Sequence, residues 1–175
     1  MSRIFTFVLL SVVLAQPRTC YRPKDSSQKT LKRFLTDAAR LLILVVDRVP
    51  ELEHSKKHQK LYETILATAK KATVTEKNFE EILRSTWDFC RGMKRTYTNV
   101  YTLTTLRALR YAVESVLYAQ EALVPERMER HQKEWDQRLT SIDDYFRNDS
   151  TPDYRTKYEN SWKALIYIVK TAAHG

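Results

Sequence analysis

The stretch Asn78–Leu123, NFEEILRSTWDFCRGMKRTYTNVYTLTTLRALRYAVESVLYAQEAL, has no proline, and its apolar residues change face halfway along. From Phe79 they run Ile82, Leu83, Phe89, Cys90, Met93, Tyr97, Val100 and Tyr101, the three-and-four spacing of a helix with one buried stripe. A second stripe follows at Leu106, Leu109, Val113, Val116, Leu117 and Leu123. On one continuous helix the two stripes would lie roughly 160° apart. Either a central helix is buried on both sides or the chain turns between them. The joining residues, Thr96, Thr98, Asn99, Val100, Thr102, Thr104 and Thr105, are β-branched or turn-prone and weaken a helix interior. The spacing therefore predicts two helices with a turn near Thr98–Thr102.

Outward from this stretch the chain repeats the same grammar. Asp25, Ser26 or Ser27 can cap a helix with the stripe Leu31, Phe34, Leu35, Ala38, Leu41, Leu42 and Val45, closed by Pro50. A second helix is expected over about Glu51 to Ala72, burying Leu52, Leu61, Tyr62, Ile65, Leu66 and Ala69, after which Thr75 caps the Phe79 helix. Pro125 is expected to open a helix with Met128, Trp135, Leu139, Ile142 and Phe146 inside and His131 at the same spacing. The turn Asn148–Pro152 ends it, and a last helix carries Tyr154, Tyr158, Trp162, Leu165, Ile166 and Val169. Two glycines in 175 residues cannot build phosphate-cradling loops or a nucleotide fold. The expectation is an all-α chain, an up-and-down bundle of five or six amphipathic helices of similar length.

The N-terminus speaks to compartment. Met1–Arg3 gives a short positive start, Ile4–Leu14 an apolar run, and Val13-Leu14-Ala15 a cleavage site, the pattern of a secretory signal peptide over residues 1–15. As a membrane anchor the run is too short, since eleven helical residues span about 16 Å. Residues 16–25, QPRTCYRPKD, hold two prolines and no helical period and read as an extended strap; residues 26–175 read as a single helical domain. The product is expected to be soluble and extracellular. There the two cysteines, Cys20 and Cys90, most simply form one disulfide, which closes a loop of about seventy residues and stabilises by roughly 4 kcal/mol. The competing reading buries Cys90 as a small apolar residue and uses Cys20 to link two chains.

Charge is one-sided. Residues 16–74 carry 13 basic and 6 acidic residues, residues 75–124 carry 7 and 6, and residues 125–175 carry 9 and 9. Arg18, Arg22, Lys24, Lys29, Lys32 and Arg33 form one cluster; Lys56, Lys57, Lys60, Lys70 and Lys71 form another. Outside the cell such a patch can meet sulfated glycosaminoglycan, anionic lipid or an acidic protein surface, or it can simply be a solvated face. No base-reading motif is present, so nucleic acid is not expected.

Tyr111 and Tyr118 lie seven apart and off the Leu106–Leu117 stripe, as binding aromatics or as the seal of a core edge. His54 and His58 stand one turn apart, but two ligands make a weak metal signal, with Glu51 the nearest third; no metal or cofactor is expected. The carboxylates in Glu80-Glu81 and Asp143-Asp144 point about 100° apart on a helix and read as solvated, so no catalytic residue is assigned and the chain is not read as an enzyme. Asn148-Asp149-Ser150 is a glycosylation sequon.

These features together describe a secreted helical-bundle binding protein that recognises an extracellular macromolecule, such as a protein receptor or target, through its surface. Helical cytokines and secreted effectors of parasites and venoms share that type, though no diagnostic residues tie the chain to either. The alternative is an extracellular carrier of lipid or another small apolar ligand, since a central helix buried on both sides could line a cavity.

Overall fold

The hydroxyl of Ser27 accepts the Thr30 N–H at 3.3 Å, the N-cap that starts the first helix. The computed structural model describes residues 27–47, 56–96, 103–147 and 154–174. In chain order the helices are α1 (Gln28–Asp47), α2 (Lys56–Ala69), α3 (Glu76–Thr96), α4 (Leu103–Leu123), the single-turn α5 (Pro125–Glu129), α6 (Gln132–Arg147) and α7 (Tyr154–His174), with no strand among the described residues. Thr75 caps α3 as its position predicts, accepting the Asn78 N–H at 3.4 Å.

Most of the expected stripes are buried: on α1, Leu31, Phe34, Leu35, Ala38, Leu41, Leu42 and Val45; on α2, Leu61 and Ile65; on α3, Phe79, Ile82, Leu83, Phe89, Cys90 and Met93; on α7, Tyr158, Trp162, Leu165 and Val169. Tyr62, Leu66 and Ala69 of α2, Leu123 of α4 and Ile166 of α7 are half-buried. Buried residues of the six longer helices join into one cluster. Each fully buried Leu, Ile or Val in it contributes about 1.5–3 kcal/mol, and this burial, more than helix propensity, holds the elements in place. No helix among the described residues is long and apolar enough to cross a membrane.

The stretch that opened the sequence reading divides into α3 and α4, with residues 97–102 between them outside the described residues. Separation did not free α4 of its second buried face. From Thr105 to Ala122 every residue of α4 is buried except Arg107 and Tyr118, which are half-buried. α4 packs most extensively on α1 and also touches α3, α5, α6 and α7, whereas α2 packs on α1 and α3. Ala108, Ala112, Ala119 and Ala122, each at most 5% exposed, lie off the leucine and valine stripe. Their short side chains let neighbouring helices approach faces that larger residues would hold away, and alanine keeps the helix favourable.

One expected helix is two. The Pro125 helix stops after Glu129, and α6 begins at Gln132, with the Trp135 N–H donating to the His131 carbonyl at 2.9 Å. Between Pro125 and His131 only Met128 is apolar, among Glu126, Arg127, Glu129 and Arg130. Little in that turn can hold it to the axis set by Trp135, Leu139 and Ile142, all buried. α6 and α7 run antiparallel: the Trp135 indole N–H donates to the Thr171 hydroxyl at 2.9 Å, and the Arg138 guanidinium lies 3.8 Å from the Tyr167 ring centre.

Candidate interaction surface

The first turn of α1 is bound to the loop between α2 and α3 by three hydrogen bonds. Gln28 clamps Val74 from both sides, its amide NH₂ donating to the Val74 carbonyl at 3.2 Å and its Oε1 accepting the Val74 N–H at 2.9 Å. Lys32 donates from Nζ to the Ala72 carbonyl at 2.7 Å, just past the C-terminal end of α2, where the helix dipole also favours a cation. Val74 is 1% exposed, so its backbone groups depend on the clamp, because water cannot replace it.

These bonds bring part of one basic cluster of the sequence, Lys29, Lys32 and Arg33, to part of the other, Lys70 and Lys71. Lys29 and Arg33 lie one turn apart on the solvent side of α1 and are exposed, and the loop held against Lys32 begins with exposed Lys70 and Lys71. Five cations therefore share one end of the α1–α2 hairpin. The nearest acid on α1, Asp37, lies 3.9 Å from Arg40. The Arg33 guanidinium sits 5.2 Å from the Phe34 ring centre, which restrains it at the surface.

Other expected site residues are not brought to this end by any described contact. Lys60 is exposed farther up α2. Lys56, Lys57 and His58 belong to α2, but their side chains are outside the description, as are Arg18, Cys20, Arg22, Lys24, Glu51, His54 and the sequon at Asn148.

Tyr111 departs from its expected place at an edge. It is 4% exposed, with the guanidinium of Arg110 4.6 Å and that of Arg107 5.8 Å from its ring centre. The wrapping of α4 on several sides draws it in. Tyr118 is half-buried, packed 5.4 Å from Phe34 and donating to Glu114 Oε1 at 3.2 Å.

Asp143 likewise leaves the solvated role expected of it. Arg110, 5% exposed at its side chain, pairs with Glu114 one turn along α4 and with Asp143 of α6 at 2.9 Å. A buried guanidinium needs such carboxylates to offset its desolvation. Asp144, by contrast, is exposed and lines an open groove of about 630 Å³ along α6 with Glu129, Lys133, Asp136 and Thr140. The groove is open and lined by charged and polar residues, unlike the enclosed apolar cavity a lipid carrier needs.

Cys90 is a free, fully buried cysteine, its expected partner Cys20 lying outside the described residues; burial pushes its thiol up to about 12, so at neutral pH the thiol is protonated. Sequence reasoning found the lysines but missed Gln28 and Val74, which join them. A lone glutamine at a helix start gives no signal of a partner 46 residues away. The chain matches no protein-family model, no curated protein and no solved structure.

Proposed function

We propose that this chain is a secreted helical binding protein, a cytokine-like ligand or an effector, which recognises an extracellular macromolecule through the basic end where α1 meets the α2–α3 loop. One observation carries the reading: Gln28 and Lys32 hold Lys29, Lys32 and Arg33 beside Lys70 and Lys71. Like charges are brought together on a fixed frame, although a solvated face would gain by spreading them. Such an arrangement favours encounter with an anionic partner and makes the affinity sensitive to salt.

In this reading residues 1–15 direct the chain to the secretory pathway, Cys20 pairs with Cys90, Asn148 carries a glycan, and the helices follow one another up and down. The antiparallel α6–α7 pair supports that order.

The test is secretion from a eukaryotic cell line, followed by binding to cell surfaces. The medium should contain a glycosylated monomer two mass units lighter than its reduced form. The variant Lys29→Glu, Arg33→Glu, Lys70→Glu, Lys71→Glu should keep its helical circular dichroism and lose the surface binding. Undiminished binding by that variant would refute the reading.

A further inference from the structure

Resting on that reading, we infer that the partner met by the basic end is a sulfated polysaccharide. The choice among anionic macromolecules follows from what surrounds the charges. Beside these charges the α2–α3 loop exposes Ala72, Thr73 and Thr75, all small, and α3 opens with exposed Glu76 and Lys77. The larger apolar groups nearby face inward: Phe34 is 7% and Val74 1% exposed.

A folded protein partner draws most of its affinity from a few desolvated anchors, typically aromatic or arginine. Arg33, the arginine among the described residues of this end, already lies against Phe34, and those residues present no aromatic anchor. A lipid surface would call for an apolar face able to enter the boundary between headgroups and acyl chains, and the described residues of this end present none.

A flexible polyanion requires neither. It needs several cations close enough to displace its counterions together, on a support that does not lose entropy when the polymer arrives. The Gln28–Val74 clamp and the Lys32–Ala72 bond supply that support. Four of the five charges are lysines, whose compact, mobile ammonium groups can follow irregularly placed sulfates, whereas a planar guanidinium selects for two-point geometry. Sulfate is chosen over carboxylate alone because it adds charge per sugar at every extracellular pH.

The experiment titrates the full secreted chain with a heparin octasaccharide, an unsulfated hyaluronan octasaccharide, and phosphatidylserine–phosphatidylcholine vesicles, at several salt concentrations. Two variants each remove three exposed lysines. One is Lys29→Gln, Lys70→Gln, Lys71→Gln at the basic end; the other is Lys133→Gln, Lys163→Gln, Lys170→Gln on α6 and α7.

The heparin octasaccharide should bind, with affinity falling as salt rises. It should weaken at least about tenfold in the first variant and less than about twofold in the second, and hyaluronan should not bind. Equal weakening in both variants would reduce the effect to net charge and overturn the inference. So would binding of vesicles without binding of the octasaccharide. Binding to cells stripped of sulfated glycans that still depends on Lys29, Lys70 and Lys71 would overturn the inference while leaving the broader reading intact. Cell binding indifferent to those lysines would overturn both.

Discussion

Arg110 of α4 reaches Asp143 of α6 at 2.9 Å while also holding Glu114 on its own helix, so one guanidinium fixes the rotation of the central helix against a neighbour. Removing it leaves the buried Glu114 and the partly exposed Asp143 without their cation. Arg110→Met should therefore destabilise by about 3–5 kcal/mol. Asp143→Ala should cost less, about 1–3 kcal/mol, because Glu114 still pairs with Arg110. Urea denaturation of both single variants and the double variant measures this. Additive losses would mean that the two side chains do not interact.

Gln28→Ala removes both hydrogen bonds to Val74 and leaves a buried N–H and C=O unpaired. The expected loss is about 1–3 kcal/mol, with amide exchange at Val74 accelerated more than exchange at Leu35 or Ile82 in the core. Unchanged exchange at Val74 would show the clamp to be unimportant.

The Glu134–Arg138–Tyr167 network makes stability depend on pH at two ends. Hydrogen bonds from Arg138 at 2.9 Å and from the Tyr167 hydroxyl at 2.8 Å hold the Glu134 carboxyl below its ordinary range. Its contribution is therefore complete above the unfolded value of about 4.3 and lost as pH falls through the lower folded value. Tyr167 moves the other way: the bond to Glu134 raises its phenol. That contribution is complete below about 10 and lost as pH rises through the higher folded value. Glu134→Gln should remove the acid dependence and reduce the alkaline one, since burial also raises the Tyr167 phenol, and Tyr167→Phe should remove the alkaline one; thermal unfolding across pH measures both.

Cys90 offers a test of burial that is separate from its pairing. In a Cys20→Ser variant its thiol, pushed up to about 12 by burial, should resist alkylation at pH 8 in the native state and react at once in urea. The thiol's stabilising contribution is complete below the ordinary value of about 8.5 and lost as pH climbs toward 12. Rapid native alkylation would show that the α3 face opens readily.

Much of the fold was legible in the sequence, because stripes of large apolar residues at helical spacing have few alternatives. The caps at Ser27 and Thr75 were legible too, since a short oxygen-bearing side chain before such a stripe has a local job. The wrapping of α4 was not. Periodicity assigns polar residues to the outside, so Arg110, Glu114 and Gln120 read as solvent-facing, yet each is at most 4% exposed. The arrival of α6 with Asp143 makes the burial of Arg110 and Glu114 tolerable, whereas the Gln120 amide is buried without a hydrogen-bond partner among the described residues. The basic end was half legible: the lysines were plain, but their meeting depends on where a loop folds back.

The wrapping of α4 also bears on how the chain must be made. α1 finds its largest partner surface on a helix that begins at Leu103, 56 residues after α1 ends at Asp47. As the polypeptide leaves the ribosome, the α1–α2 hairpin can form early, but the face of α1 that meets α4, where Phe34 packs on Tyr118, stays uncovered until α4 emerges. The nascent chain thus passes through an interval in which a greasy hairpin needs protection from its neighbours, and chaperone engagement would be heaviest between the synthesis of α2 and that of α4.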